Sequence, residues 1–239
     1  ESNPVRPQEE AIPLTPNRRL IAENMIRSVS QMPQAWSTIE VDVTTVVHQR
    51  ETMKEDLLKQ DGIELTYLSF VVKAVAESLK EHPLLNSSWG GDKIILKKRV
   101  NIGIAVATPQ GLIVPVMHDT DAYTIAGLAQ AISDLAARAR AGRLILPDVQ
   151  GGTFTVNNTG VLGSIFSQPI VNFPQAAILT TEAIVKRPVV MSGDAIAVRS
   201  MMNICVTFDH RILDGAETST FMDNVKRRLE SVGPSTQIY

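Results

Sequence analysis

The sequence predicts an α/β chain, a two-layer sandwich in which helices cover one side of a mixed β-sheet. Three observations predict it. A length of 239 residues with 44% hydrophobic content is ample for a substantial core. Segments of helical period and β-branched segments follow one another without strict alternation, which favours a mixed sheet over an all-parallel one. No internal repeat is visible.

Residues 1–11 (ESNPVRPQEEA) are polar, contain proline and show no apolar period, so they read as a linker or disordered arm. The domain is expected over residues 12–239, with order beginning near Ile12. Thr15 followed by Pro16 is a helix start, and Ile21, Met25, Val29 and Met32 form one apolar face that ends before Pro33. Ala35 to Val43 reads as a strand. Thr44 or Thr45 caps a second helix that stops at Asp61-Gly62. Thr66 opens a third, with Leu68, Val71, Val72, Val75 and Leu79 facing a core, closed by His82-Pro83.

Ile94 to Leu96 and Val100 to Ala107 are expected as paired strands. A Pro109-Gln110-Gly111 turn leads to a short strand, Leu112 to Met117. Ile125, Leu128, Ile132, Leu135 and Ala139 mark a fourth helix, stopped at Gly142. Strands follow at Thr153–Val156, Ala176–Thr180, Val185–Met191 and Ala195–Phe208, the last two joined by a Ser192-Gly193-Asp194 turn. A final helix, Ala216 to Ser231, buries Phe221, Met222, Val225 and Leu229.

Composition excludes several classes. With 14 glycines and 13 prolines the chain is neither collagen-like nor of low complexity. A net charge of -2 argues against a nucleic-acid binder. No run approaches the roughly 18 apolar residues of a membrane span, and no leader opens the chain. Cys205 is the single cysteine, so an internal disulfide and a Cys-clustered zinc site fall away. A soluble, intracellular domain is expected. A start at Glu1 reads as a fragment of a longer protein.

Two segments can carry chemistry. Asp209-His210-Arg211-Ile212-Leu213-Asp214-Gly215 follows an apolar strand and precedes a helix. A histidine there stands on a rigid support, and imidazole is the usual general base near neutral pH. The alternative is a surface turn closed by Gly215 with a local Asp–Arg pair. The second segment, Gly151 to Gly160, contains a strand that ends in Asn157, Asn158 and Thr159. Those groups offer donors where the backbone leaves the sheet, as an oxyanion site needs, although Asn-Asn-Thr-Gly also reads as a plain turn. Its glycines match neither a dinucleotide fingerprint nor a P-loop.

His48, His82 and His118 read as structural or solvated, and no histidine pair has ligand spacing, so no metal is expected. Cys205 lies in the apolar run Ile204-Cys205-Val206, where little thiolate forms, and is a poor nucleophile.

Together the segments resemble the catalytic domain of the dihydrolipoamide acyltransferases, the core component of 2-oxo acid dehydrogenase complexes. Asp209-His210-Arg211-x-x-Asp214-Gly215 is similar to the family's active-site signature, which chloramphenicol acetyltransferases and peptide-synthetase condensation domains share in part. The likeness extends to Pro13-Leu14, to Arg18 through Met25 and to Glu40 through Thr44 with Arg50. It continues through Asn101 to Pro109, Gly111 to Val116, Gly152 to Thr155, Pro169 to Asn172 and Ala176 to Leu179. These blocks stand in the family order from about Ile12 to Leu229.

The resemblance implies a chloramphenicol-acetyltransferase-like sandwich that transfers an acyl group between dihydrolipoamide and coenzyme A. His210 would be the general base and Asp214 an orienting residue, with Arg18 or Arg19 as its partner. The family's hydroxyl donor to the oxyanion falls at Asn157, a departure that keeps Asn158 as an alternative. Arg50 and Thr66 fall at the coenzyme A site; an ordinary helix charge and an N-cap are their plain readings. The lipoyl group would ride on a separate domain absent from this chain, joined through residues 1–11.

A homotrimer is implied, with the site between subunits, building a larger cage. Decarboxylase and dihydrolipoamide dehydrogenase components would be recruited through the missing domains, in the cytoplasm or a mitochondrial matrix. Ile238-Tyr239 would plug between trimers. Gly160 to Ser164 and Val185 to Met191 look similar to branched-chain-type members. A catalytically inactive cage scaffold and a stand-alone antibiotic acetyltransferase are the competing readings.

Overall fold

The computed structural model describes residues 10–109 and 111–239. Helix α1 (Pro16–Gln31) starts as expected: the Thr15 hydroxyl accepts the Arg18 amide at 3.2 Å. Of its expected apolar face Met32 is buried, Ile21 and Met25 are half-buried and Val29 is exposed, while Leu20 and Ile26 beside it are each more than 60% exposed. The linker expected over residues 1–11 lies mostly outside the described residues; Glu10 and Ala11 are exposed and without regular structure.

Strand β1 (Gln34–Asp42) leads into α2 (Thr44–Asp61), which ends on Gly62 in the left-handed conformation. Neither Thr44 nor Thr45 caps α2. Val43 holds the cap position, and Thr44 instead donates its amide and hydroxyl to Asp42. Helix α3 (Tyr67–Glu81) follows, buried along Phe70, Val71, Val72, Val75 and Leu79.

Strands β2 (Ser87–Trp89) and β3 (Ile94–Leu96) form a separate antiparallel pair. The pairing of Ile94–Leu96 with the Val100–Ala107 run is thus corrected, because β2, short and serine-rich, takes the partner's place. That run and the next each divide in two, giving β4 (Ile102–Ile104), β5 (Val106–Thr108), β6 (Gly111–Ile113) and β7 (Val116–Met117). β5 and β6 make a hairpin, while β4 and β7 join the main sheet. Helix α4 (Ile125–Arg140) is capped by the Thr124 hydroxyl.

The remaining strands are β8 (Phe154–Asn158), β9 (Ala177–Thr181), β10 (Val185–Val190) and β11 (Ile196–Asp209), and α5 (Gly215–Glu230) closes the fold. The main sheet has seven strands in the order β1-β11-β9-β8-β4-β7, with β10 on the other half of β11. β4, β8 and β9 run parallel and the other pairs antiparallel, so the sheet is mixed.

Side chains alternate across each strand. On one face Phe154, Val156, Leu179, Ile204 and Phe208 meet Val72, Leu79, Leu128, Phe221 and Leu229 of the helical layer in one core. Each such side chain removed from water contributes about 1.5–3 kcal/mol. On the other face Ile178 packs with Met32 and Val171. Ile238 is buried in the chain's own core and its carbonyl accepts the Ala126 amide, so it is not free to plug a neighbour.

Candidate functional site

His210 stands one residue beyond β11, exposed. Its backbone amide donates to the Pro33 carbonyl at 2.9 Å, which ties the turn to the α1–β1 junction. Its ring packs at 5.6 Å on Phe208, and the described residues give it no hydrogen-bond partner. The neighbours hold it. Asp209, only 1% exposed, accepts Arg211 Nε at 3.0 Å and Nη2 at 2.6 Å, a two-pronged pair. Those bonds hold the Arg211 pKa above its ordinary value. Arg211 also lies over the Trp89 ring at 5.1 Å. The local Asp–Arg pair and a projecting histidine therefore coexist.

Asp214 caps the helix that follows it. Its Oδ1 accepts the amides of Ala216 and Glu217 at 2.9 and 3.0 Å, capping α5. Within the one chain neither Arg18 nor Arg19 forms an ion pair among the described residues, and Asp214 bonds to backbone amides. A carboxylate at the start of a sixteen-residue helix is already satisfied by backbone donors and the helix dipole.

Asn157 and Asn158 end β8, half-buried. Alternation sends them to opposite faces. Asn158 lines a cavity of ≈ 200 Å³ with Tyr67, Leu68, Gly160 and Glu182. Asn157 stands level with Thr180 on the other face. Thr180 is level with Cys205, and His210 lies five positions beyond Cys205, about 16 Å along the strand direction. One chain does not bring His210 and Asn157 together.

Arg50, by contrast, reaches the residues on either side of Thr66. Arg50 Nε donates to the Leu65 carbonyl at 3.0 Å and its guanidinium lies 5.1 Å from the Tyr67 ring centroid. Thr66 occupies the N-cap of α3 without capping it, and its buried hydroxyl has no partner. Buried hydroxyls are normally bonded, and this one shares its unpartnered state with those of Thr45 and Thr207.

His48 is exposed, while His82 Nε2 meets Asn224 at 2.7 Å and His118 Nε2 meets the Pro147 carbonyl at 3.0 Å. Among the described residues no group of three or more His, Cys, Asp or Glu could hold a metal ion. None of the helices in the described residues is long and apolar enough to cross a membrane.

One residue escaped the sequence reading. Glu182, 2% exposed, follows β9 and accepts from the Thr159 hydroxyl at 2.7 Å and the Thr180 hydroxyl at 2.8 Å, and also from Ser167. Burial pushes its pKa up; the hydroxyls, Ser167 foremost, outweigh it and hold the group below the ordinary glutamate value. No cation pairs with it among the described residues. Its only sequence signal is a charge directly after a strand, beside Thr180 and Thr181.

Comparison with known proteins gives concordant results. The family model for the 2-oxoacid dehydrogenases acyltransferase catalytic domain matches residues 6–236. The lipoamide acyltransferase component of the branched-chain alpha-keto acid dehydrogenase complex of Bacillus subtilis is 52% identical over 231 residues, 97% of this chain and 54% of that protein. The chain thus spans about half the length of such a relative. Among solved structures, a probable dihydrolipoamide acetyltransferase from Listeria monocytogenes superposes with a TM-score of 0.95 at 47% identity, covering 97% of this chain and 99% of that one. The cubic core of a pyruvate dehydrogenase multienzyme complex gives 0.91 at 34% identity, over 95% and 93%. A chloramphenicol acetyltransferase gives 0.55 at 18% identity over 87% and 94%, a likeness of fold.

Proposed function

We infer the function from one premise: the chain belongs to the 2-oxoacid dehydrogenase acyltransferase family. The reading is a catalytic domain that transfers an acyl group between dihydrolipoamide and coenzyme A. It serves as the core of a 2-oxo acid dehydrogenase complex, located in the cytoplasm or, in a eukaryote, the mitochondrial matrix. The 52% identical branched-chain component favours a branched acyl group.

A single observation carries the mechanism: the His210 ring is exposed, and unbonded among the described residues, on a turn clamped from both sides. In the reading, that imidazole takes the proton from the coenzyme A thiol, which is mostly protonated near neutral pH. The thiolate attacks the acyl carbonyl on the lipoyl sulfur, and the new oxyanion accepts from the Asn157 amide. Collapse breaks the bond between the acyl carbon and the lipoyl sulfur, and His210 returns the proton to that departing sulfur. No covalent enzyme intermediate is involved.

His210 and Asn157 lie at opposite ends of one sheet, so the reading has each site built from two protomers of a homotrimer. Exposed apolar side chains on α1 (Leu20, Ile26, Val29) and after β8 (Val161, Leu162, Phe166) support such contacts. Trimers assembled into a cage would follow the cubic core of the relative. Coenzyme A fits the Arg50–Thr66 corner, where a guanidinium suits phosphate and the unpartnered hydroxyl gains a bond. The lipoyl group, the decarboxylase and the dihydrolipoamide dehydrogenase would reach the core through domains outside this chain, joined by the linker read over residues 1–11.

Branched and linear acyl-CoA donors assayed with dihydrolipoamide test the reading. Turnover by the wild type, lowered about 10²–10⁴-fold in His210→Ala, is the expected result. Equal turnover by both proteins overturns the general base and leaves a scaffold.

A further inference from the structure

We propose that Glu182 is a positioning residue for acyl transfer, gripping both neighbours of Asn157 and so fixing the amide that meets the oxyanion. The inference rests on the function proposed above. Asn157 has Thr180 beside it in the adjacent strand and Thr159 two residues further along its own chain. Both hydroxyls donate to the one Glu182 carboxylate, Thr180 to Oε1 at 2.8 Å and Thr159 to Oε2 at 2.7 Å. The Asn157 backbone is therefore held from the side and from its C-terminal end by a single buried group.

The grip extends into the following loop. Ser167 also donates to Oε1, and the Ala183 amide donates to the Ser164 carbonyl at 2.7 Å. Gly160 lies so close that an added Cβ would strike the Glu182 carbonyl group, leaving the turn no room to shift. The Thr159 amide closes the arrangement on the Thr181 carbonyl at 3.1 Å.

The same chemistry explains why an amide stands where the family places a hydroxyl. A buried carboxylate without a cation draws in every nearby hydroxyl proton, since hydrogen bonds to a charged acceptor are the stronger ones. Thr159, Thr180 and Ser167 have already given theirs. A hydroxyl at position 157 would compete for the same acceptor, whereas an amide carries two N–H donors and keeps at least one for substrate. Glutamine at 182 cannot reproduce this, because one of its two heads donates instead of accepting.

The test compares the cage-assembled wild type with Glu182→Gln, Thr159→Val and Thr159→Ser. Its readouts are kcat, KM for each substrate, and amide hydrogen exchange at residues 158–160. In Glu182→Gln, kcat should fall about 10²-fold, as for a misplaced catalytic group, with both KM values within about twofold. Exchange at 158–160 should accelerate while cage size is kept. Thr159→Val should follow the same pattern more weakly, and Thr159→Ser should restore it.

Unchanged kcat in Glu182→Gln, or a loss carried by KM, overturns the proposal. If Glu182→Gln fails to assemble, the Thr159 pair decides: equal kcat in Val and Ser variants overturns it. A wild type without acyl transfer refutes the proposed function instead. In that case unaltered exchange in Glu182→Gln independently removes the anchor.

Discussion

At one end of the sheet His210 stands on a solvent-facing turn clamped by the Asp209–Arg211 ion pair; at the other, Asn157 stands on a strand end clamped by hydroxyls around Glu182. The first clamp is local, formed by residues two apart in the chain. The second gathers Thr159, Ser167 and Thr180 from three separate stretches around one uncompensated charge. Both secure a side chain that has no hydrogen-bond partner among the described residues. The difference lies in what can be lost: a local pair survives loosening of the fold, while an assembled network depends on the whole 159–182 loop staying closed.

The largest expected effect tests whether the two ends are halves of one site. His210→Ala and Asn157→Ala should each lower kcat, the latter by about 10²–10³-fold. Trimers mixed from the two inactive variants should regain activity at about a quarter of their sites, since each site then needs one intact partner of each kind. Activity that stays absent after mixing, confirmed by co-purification of the two chains, would break the comparison.

Next comes the local clamp. Arg211→Ala leaves Asp209 buried without its cation and should cost about 1–3 kcal/mol in urea denaturation. Arg211→Lys should recover only part of that, because an ammonium cannot make the two-pronged bond. Asp214→Ala should cost about 1 kcal/mol through loss of the α5 cap, and Asp214→Asn only a few tenths. A loss in Asp214→Asn as large as in Asp214→Ala would show that its charge does more than cap.

The smallest effect concerns acid. Glu182 has a pKa lowered in the folded state, so its contribution to stability is present above the unfolded carboxylate pKa and lost as pH falls through the folded one. Glu182→Gln has no such group. Its stability deficit against wild type should therefore shrink steadily as denaturation is repeated at lower pH. A constant deficit would show that the carboxylate is not charged in the native protein.

What was legible in the sequence follows the same division. The His210 turn was readable because charge pair, Asp214 and Gly215 fall within seven consecutive residues directly at the end of an apolar strand. The long strands and α3, α4 and α5 were readable from their periods, their edges falling within a residue or two of the expected ones. Short strands were not: β2 has three residues, two of them serine, and gains its identity only from pairing with β3. The cap of α2 was misplaced because Asp42, two residues before Thr44, took both its amide and its hydroxyl. That Asp214 caps α5 was not legible, because a helix cap and an orienting carboxylate call for the same residue type. Glu182 was invisible because nothing within its own segment distinguishes a buried carboxylate from a solvated one.

Because β8 is bonded on both flanks, to β4 and to β9, its two terminal asparagines have fixed addresses. Deleting or inserting one residue between Thr153 and Val156 would trade them, swinging the first amide toward the α3 cavity and the second toward the outer face. The chain would keep both asparagines in its composition and present each to the wrong side of the sheet. Length, here, is as much a part of the site as chemistry.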